Sequence, residues 1–143
     1  MSIVDAVGGL QNKRLSARSF DIWHANAMVD LISATDPTIE GTGLTLGQAQ
    51  KWINMSVKYA IGSRVPGLDW VEPLAHIPID RIVLAELGRD PTYQSALNCL
   101  PDGAWSKLQD GLAYLAFQRK LRQATAPSCP LALEFRLWLA AAR

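Results

Sequence analysis

The sequence predicts an all-α fold: a single compact irregular bundle of five or six helices, with residues 1–143 forming one domain. Three observations carry this. Apolar residues recur at helical spacing in several long stretches. Capping residues and Gly or Pro breakers mark the ends of those stretches. No segment shows the alternation of a half-buried strand, and no internal repeat or low-complexity tract is present.

Composition fits this reading. Hydrophobic residues make up 49% of the chain and charged residues 19%, a balance that supports a real core and excludes disorder. The formal net charge is +1, so no global field draws the chain to nucleic acid or anionic lipid. No apolar run reaches the length of a membrane span, and the start Met1-Ser2-Ile3-Val4-Asp5 does not resemble a signal peptide. Cys99 and Cys129 stand apart, without a Cys-x-x-Cys or Cys/His cluster. A cytoplasmic protein with reduced thiols, no metal and no cofactor is the expectation.

Residues 1–14 are ambiguous. Val4, Ala6, Val7 and Leu10 suit a short helix, but Gly8-Gly9 weakens it. A strong helix is predicted over 16–33 from the stripe Phe20, Trp23, Ala27 and Leu31, broadened by Met28 and Ile32. It ends before Asp36-Pro37, and a Thr-, Gly- and Pro-rich loop fills 35–43.

The clearest helix covers 45–61. Thr45 and Gln48 form a capping box, and Leu46, Ala49, Ile53, Val57 and Ala60 share one side, with Trp52 and Ile61 at its margins. Gly62-Ser63 and Pro66 stop it. Lys51, Asn54 and Lys58 lie on the other side. A long irregular connection, 62–75, holds Asp69, Trp70 and Glu72.

His76-Ile77-Pro78-Ile79-Asp80 leads into a short helix over 80–87, closed by Gly88. Residues 92–100 form a weaker helix candidate before Pro101-Asp102-Gly103. The longest helix is expected over 104–124, with Leu108, Leu112 and Leu115 as one stripe and Tyr114, Phe117 and Leu121 as the next. Its last turns carry Arg119, Lys120 and Arg122, which suit the negative end of the helix dipole. The final helix, 130–142, is apolar almost all round; it is expected to be central and to be capped by Ser128.

Several polar residues are candidates for function. Lys51, Asn54 and Lys58 either face solvent, as a basic docking face for a protein or nucleic acid, or face inward as the lining of a site. Glu134 is a carboxylate in an otherwise apolar helix, so it needs a partner, and Lys51, Lys58, Arg81 and His76 are the candidates. Together with Trp70, Glu134 also suggests a polar pocket for a small molecule or nucleotide, as in a sensor. A structural ion pair that fixes helix register is the plainer alternative. His76 and Asp80 suit either an acid/base pair or a helix cap.

Arg18-Ser19-Phe20-Asp21-Ile22-Trp23-His24 places an arginine and a histidine on one helix with five residues between them. This resembles the Arg-x(4–6)-His signature of HEPN ribonucleases. The resemblance implies a helical fold and metal-independent RNA cleavage, with His24 as acid/base and Arg18 stabilising phosphate charge. The residue after the arginine is Ser19, where that family usually carries Asn, Asp or His. The strings 47–55 and 76–80 are similar to segments of small bacterial proteins, which implies a bacterial origin and no particular activity.

No phosphate-cradling Gly-rich loop, His-Glu-x-x-His or Gly-x-Ser-x-Gly occurs, so nucleotide hydrolysis, zinc-protease and serine-hydrolase chemistry are disfavoured. The leading expectation is a small helical binding module that contacts a protein or nucleic acid through the Lys51/Asn54/Lys58 face or the basic end at Arg119, Lys120 and Arg122. The alternatives are the HEPN-like ribonuclease and the sensor.

Overall fold

Seven α-helices form among the residues that the computed structural model describes, 2–35 and 43–143. The loop expected over 35–43 lies almost wholly outside them. No helix among the described residues is long and apolar enough to cross a membrane.

The ambiguous start is a helix, α1 (Ile3–Gly8), because Ser2 and Asp5 complete a reciprocal capping box. Helix α2 (Ala17–Ala34) begins at Ser16, whose side chain accepts from the Ser19 amide. Helix α3 (Leu46–Gly62) has the expected Thr45/Gln48 capping box. Helix α4 (Arg81–Leu87) is capped by Asp80, which accepts from the Val83 amide at 2.9 Å.

Three expectations change downstream. Residues 92–100 give only a 3-10 turn (Pro91–Tyr93) and the single-turn α5 (Gln94–Leu97). The helix expected over 104–124 is interrupted: Trp105–Lys107 is a 3-10 turn, and α6 (Gly111–Thr125) starts afresh at Asp110, which caps the Ala113 amide at 2.9 Å. The stripe Leu108–Leu112–Leu115 therefore does not exist as one face. Leu108 is buried before the helix, and Leu112 is 83% exposed on it. The longest helix is α2 instead.

Helix α7 (Pro130–Ala141) is not central. It buries Leu131, Leu133, Glu134 and Leu137 and leaves Phe135, Trp138 and Leu139 outside. Its cap position is Cys129, with no side-chain cap from Ser128. An apolar helix can lie at the surface when one of its faces is enough to fill the core, as here.

The start of α3 is pressed against the Trp105–Lys107 turn. The Gly47 amide donates to Leu108 O at 2.9 Å, and a Cβ at Gly47 would fall 2.0 Å from Trp105 O. Only glycine fits there.

One buried stretch is not helical. Residues 75–80 belong to no helix or strand and are all buried. Buried backbone needs partners, and side chains on α3 and α6 supply them. Gln50 accepts from the Ile79 amide at 3.0 Å and donates to Ile79 O at 2.8 Å. Gln118 accepts from the Ile77 amide at 3.0 Å and donates to Ile77 O at 2.9 Å. Pro78, between them, has no N–H to satisfy. Two glutamine amides thus do the work of flanking strands, and the bundle closes around the segment with Phe20, Ile53, Tyr114, Phe117 and Leu121 in its core.

Candidate functional site

The inward arrangement of α3 is the one adopted. Asn54 is 1% exposed and donates to Ile77 O at 3.2 Å. Lys58 Nζ lies 2.8 Å from Glu134 Oε1, and Lys51 Nζ lies 3.3 Å from Asp80 Oδ2. Lys51 also sits 5.0 Å over the Trp105 ring, and Lys58 5.0 Å over Phe135. Meanwhile Trp52, at the margin of the apolar stripe, is 61% exposed. Both lysines are thus engaged within the chain. Of Glu134's suggested partners, Lys58 is the one it meets. Arg81 is exposed, and Trp70 donates to Gly67 O at 3.1 Å.

His76 does not pair with Asp80. Its Nε2 meets Asp21 Oδ1 at 2.8 Å, and its Nδ1 meets the Tyr114 hydroxyl at 2.9 Å. Asp80 is the cap of α4 and the partner of Lys51. Asp21 is 3% exposed and also takes Arg119 Nε at 3.3 Å and Arg122 through both terminal nitrogens, at 3.3 and 2.9 Å. Burial alone would raise the pKa of Asp21, but the hydrogen bonds from His76 and Arg122 outweigh it and hold the carboxyl well below the ordinary carboxylate range.

The network continues inward from Tyr114. Its hydroxyl accepts from Asn54 Nδ2 at 3.0 Å, and Asn54 Oδ1 lies 2.6 Å from His24 Nε2. Asn54 Nδ2 also donates to Gln50 Oε1 at 3.1 Å. The imidazoles of His24 and His76 lie 4.2 Å apart, and Tyr114 stacks on His24 with ring centroids 5.5 Å apart. Burial, helped by the nearby His76, holds the pKa of His24 well below 6.5. Burial also lowers that of His76, despite the opposing pull of Asp21, and pushes the Tyr114 phenol above its ordinary value. All three groups are therefore neutral near pH 7.

This network forms the floor of a groove between α2 and the start of α6. The groove holds about 460 Å³. Asp21, His24, His76 and Tyr114 line its base, and Met28, Val29, Ile32, Leu46, Leu112 and Leu115 make its apolar walls. The sensor pocket expected around Glu134 and Trp70 is not this one, since neither residue lines it. On the far side of Asp21, Arg18, Arg119, Arg122 and Gln123 line an open depression of about 520 Å³.

Arg18 and His24 lie on different sides of α2. Arg18 is exposed on the rim of the open depression, and His24 is 1% exposed under the groove. The structure does not bring the two to one phosphate position within this chain.

Asp21, Gln50, Tyr114 and Gln118 were not singled out from the sequence. A signal existed. Asp21 and His24 are three apart on the side of α2 that also carries Phe20, Ala27 and Met28, and Tyr114 and Gln118 are four apart beside Phe117 and Leu121. Polar residues in the middle of an apolar stripe mark a buried network. Among the described residues, no group of three or more His, Cys, Asp or Glu side chains is placed to hold a metal ion. Compared with protein-family models, curated proteins and solved structures, the chain matches none.

Proposed function

We propose that this chain is a small-molecule-binding module whose ligand lies in the groove between α2 and α6. The observation that carries the reading is the make-up of that groove: apolar walls over a floor of fixed polar groups, the neutral His24, His76 and Tyr114 beside the ion-paired Asp21, in a volume of about 460 Å³. Ligand sites of this kind enclose roughly 300–1,000 Å³ and pair apolar walls with a few placed polar atoms. The reading keeps the expected sensor role and moves it from Glu134 to the α2/α6 groove. It supports binding over catalysis because Tyr114 and His76 are held on both sides by protein partners, which leaves neither free to exchange protons with a substrate.

The test is binding of a neutral, apolar fluorescent probe, N-phenyl-1-naphthylamine, to the protein and to an Ala25→Trp variant. Ala25 is exposed on α2 and lines the groove, so the larger side chain fills the site without entering the core. The expected result is saturable binding that the variant loses while its melting temperature holds. No binding, or equal binding by both proteins, overturns the proposal.

A second reading rests on the open depression, where Arg18, Arg119 and Arg122 face one buried carboxylate, Asp21. Its excess positive charge suits a phosphate-bearing partner such as RNA, the role expected for the basic end of α6. An Arg18→Glu/Arg119→Glu variant tests it. Unchanged retention on an RNA column, at matched salt, overturns it.

A further inference from the structure

Asp21 is the wall shared by two cavities. It lines the groove between α2 and α6, and it lines the open depression on its far side. Its Oδ1 takes His76 Nε2 from the groove floor at 2.8 Å, and its Oδ2 takes Arg119 Nε from the depression at 3.3 Å. Arg122 clamps both oxygens, at 2.9 and 3.3 Å.

The depression has unused donors. Three guanidiniums, those of Arg18, Arg119 and Arg122, line it against the one carboxylate of Asp21. Arg122 is mostly buried, and one of its terminal nitrogens also donates to Leu74 O at 2.9 Å. Arg119 is freer. Its side chain is 52% exposed, its Nε alone is bonded to Asp21, and its two terminal nitrogens make no hydrogen bond among the described residues. Arg18 is exposed on the same rim and has no ion pair among the described residues. Free guanidinium forks with an excess of positive charge fit an oxyanion of the phosphate type.

We propose that the depression binds one phosphate group between Arg18 and Arg119, and that this binding weakens the groove for its apolar ligand. The link is two contacts long: Arg119 to Asp21, and Asp21 to His76. A phosphate held by Arg119 takes part of the positive charge that compensates Asp21. His76 is faced by Asp21 and His24 from α2 and by Tyr114 from α6, with both arginines beyond Asp21. An imidazole beside a less compensated carboxylate takes on positive charge more readily. A floor that carries charge is a poorer base for an apolar ligand. By reciprocity, a filled groove weakens phosphate by the same factor. The inference rests on both cavities being ligand sites and adds the coupling between them.

Free phosphate and the phosphate of an RNA strand present the same group, so the test uses both. The intact protein is titrated with inorganic phosphate and with a uridine hexanucleotide, at constant ionic strength held with chloride. N-phenyl-1-naphthylamine is then titrated with and without each anion at saturation. The expected result is that the anion loosens the probe about twofold to fivefold, the worth of one partly exposed ion pair. In ¹⁵N NMR the Arg119 Nε and His76 ring signals should move together as anion is added, which a merely structural Arg119 would not do. Arg18→Gln should weaken the anion and shrink its effect on the probe. Action by free phosphate supports a small-anion site, and action by the hexanucleotide alone supports the same site on a strand. If an anion binds and the probe's affinity does not change, the coupling is overturned while both sites stand. If neither anion binds, the depression is no phosphate site and the inference falls, with the groove intact. If the probe does not bind, the groove reading falls and takes the coupling with it.

Discussion

Lys58 Nζ lies 2.8 Å from Glu134 Oε1, and the carboxylate it neutralises has no exposure at all. The pair joins the middle of the chain to its last helix. The second oxygen, Oε2, has no partner among the described residues, so the ammonium is what makes a charge at this depth tolerable. Lys58→Met should therefore destabilise the protein by about 3–5 kcal/mol, as breaking a buried pair does. The double variant Lys58→Met/Glu134→Leu should recover most of that loss, because an apolar pair of similar volume needs no ion. Urea unfolding of both checks this; equal stability of the single variant and the parent would show that the pair contributes nothing.

Gln118 satisfies both polar groups of Ile77, in a place where water does not reach. Gln118→Met keeps the size and strands the Ile77 amide, while Ile77 O keeps Asn54 Nδ2 at 3.2 Å. One stranded buried group costs about 1–3 kcal/mol, and a loss of that size is expected. A fall in the urea midpoint with an unchanged slope would support this, and a shift below half a kcal/mol would refute it.

Gly47→Ala should cost about 1–3 kcal/mol, since the new methyl group meets backbone at Trp105 that has no freedom to give way. Gly8→Ala is the matched control. A Cβ there meets nothing within 4 Å, so that change should stabilise by about 0.4–1 kcal/mol. Thermal melts of the two variants should move in opposite directions.

Acid should unfold the protein earlier than a bundle without buried histidines. His24 and His76 have folded-state pKa values below 6.5, so the unfolded chain binds more protons as pH falls through 6.5. The stability they contribute is complete above 6.5 and is lost as pH falls towards their folded values. The slope is about 1.4 kcal/mol per pH unit for each histidine that differs between the states. Asp21, depressed in the folded state, adds a further loss once pH drops below the unfolded carboxylate range. Stability measured by urea between pH 7.5 and 5 should decline on the acid side of 6.5; a flat profile would show that the histidines titrate alike in both states.

Much of the fold was legible in the chain because its signals are local. The capping box at Thr45/Gln48 and the stripe of Phe20, Ala27 and Met28 each lie within one helix. The break before α6 was missed because Trp105–Lys107 satisfies the helical spacing without being α-helical, and only the cap at Asp110 marks the restart. The site was harder for a related reason. Gln50 and Asn54 on α3 look like surface residues until residues 75–80 lie beside them, and nothing local shows that pairing. Glu134 was recognised as a misfit in an apolar helix, and its partner Lys58 is 76 positions away, a distance that periodicity does not span.

Residues 75–80 also bear on how the chain opens. In most helical bundles the slowest amides to exchange with solvent belong to helices. Here Ile77 and Ile79 donate to glutamines 41 and 29 positions away, on two different helices. Fraying either helix end frees neither amide, and releasing both requires α3 and α6 to part. The most protected amides of this helical protein should therefore be two that belong to no helix, and their exchange rates should report its global unfolding.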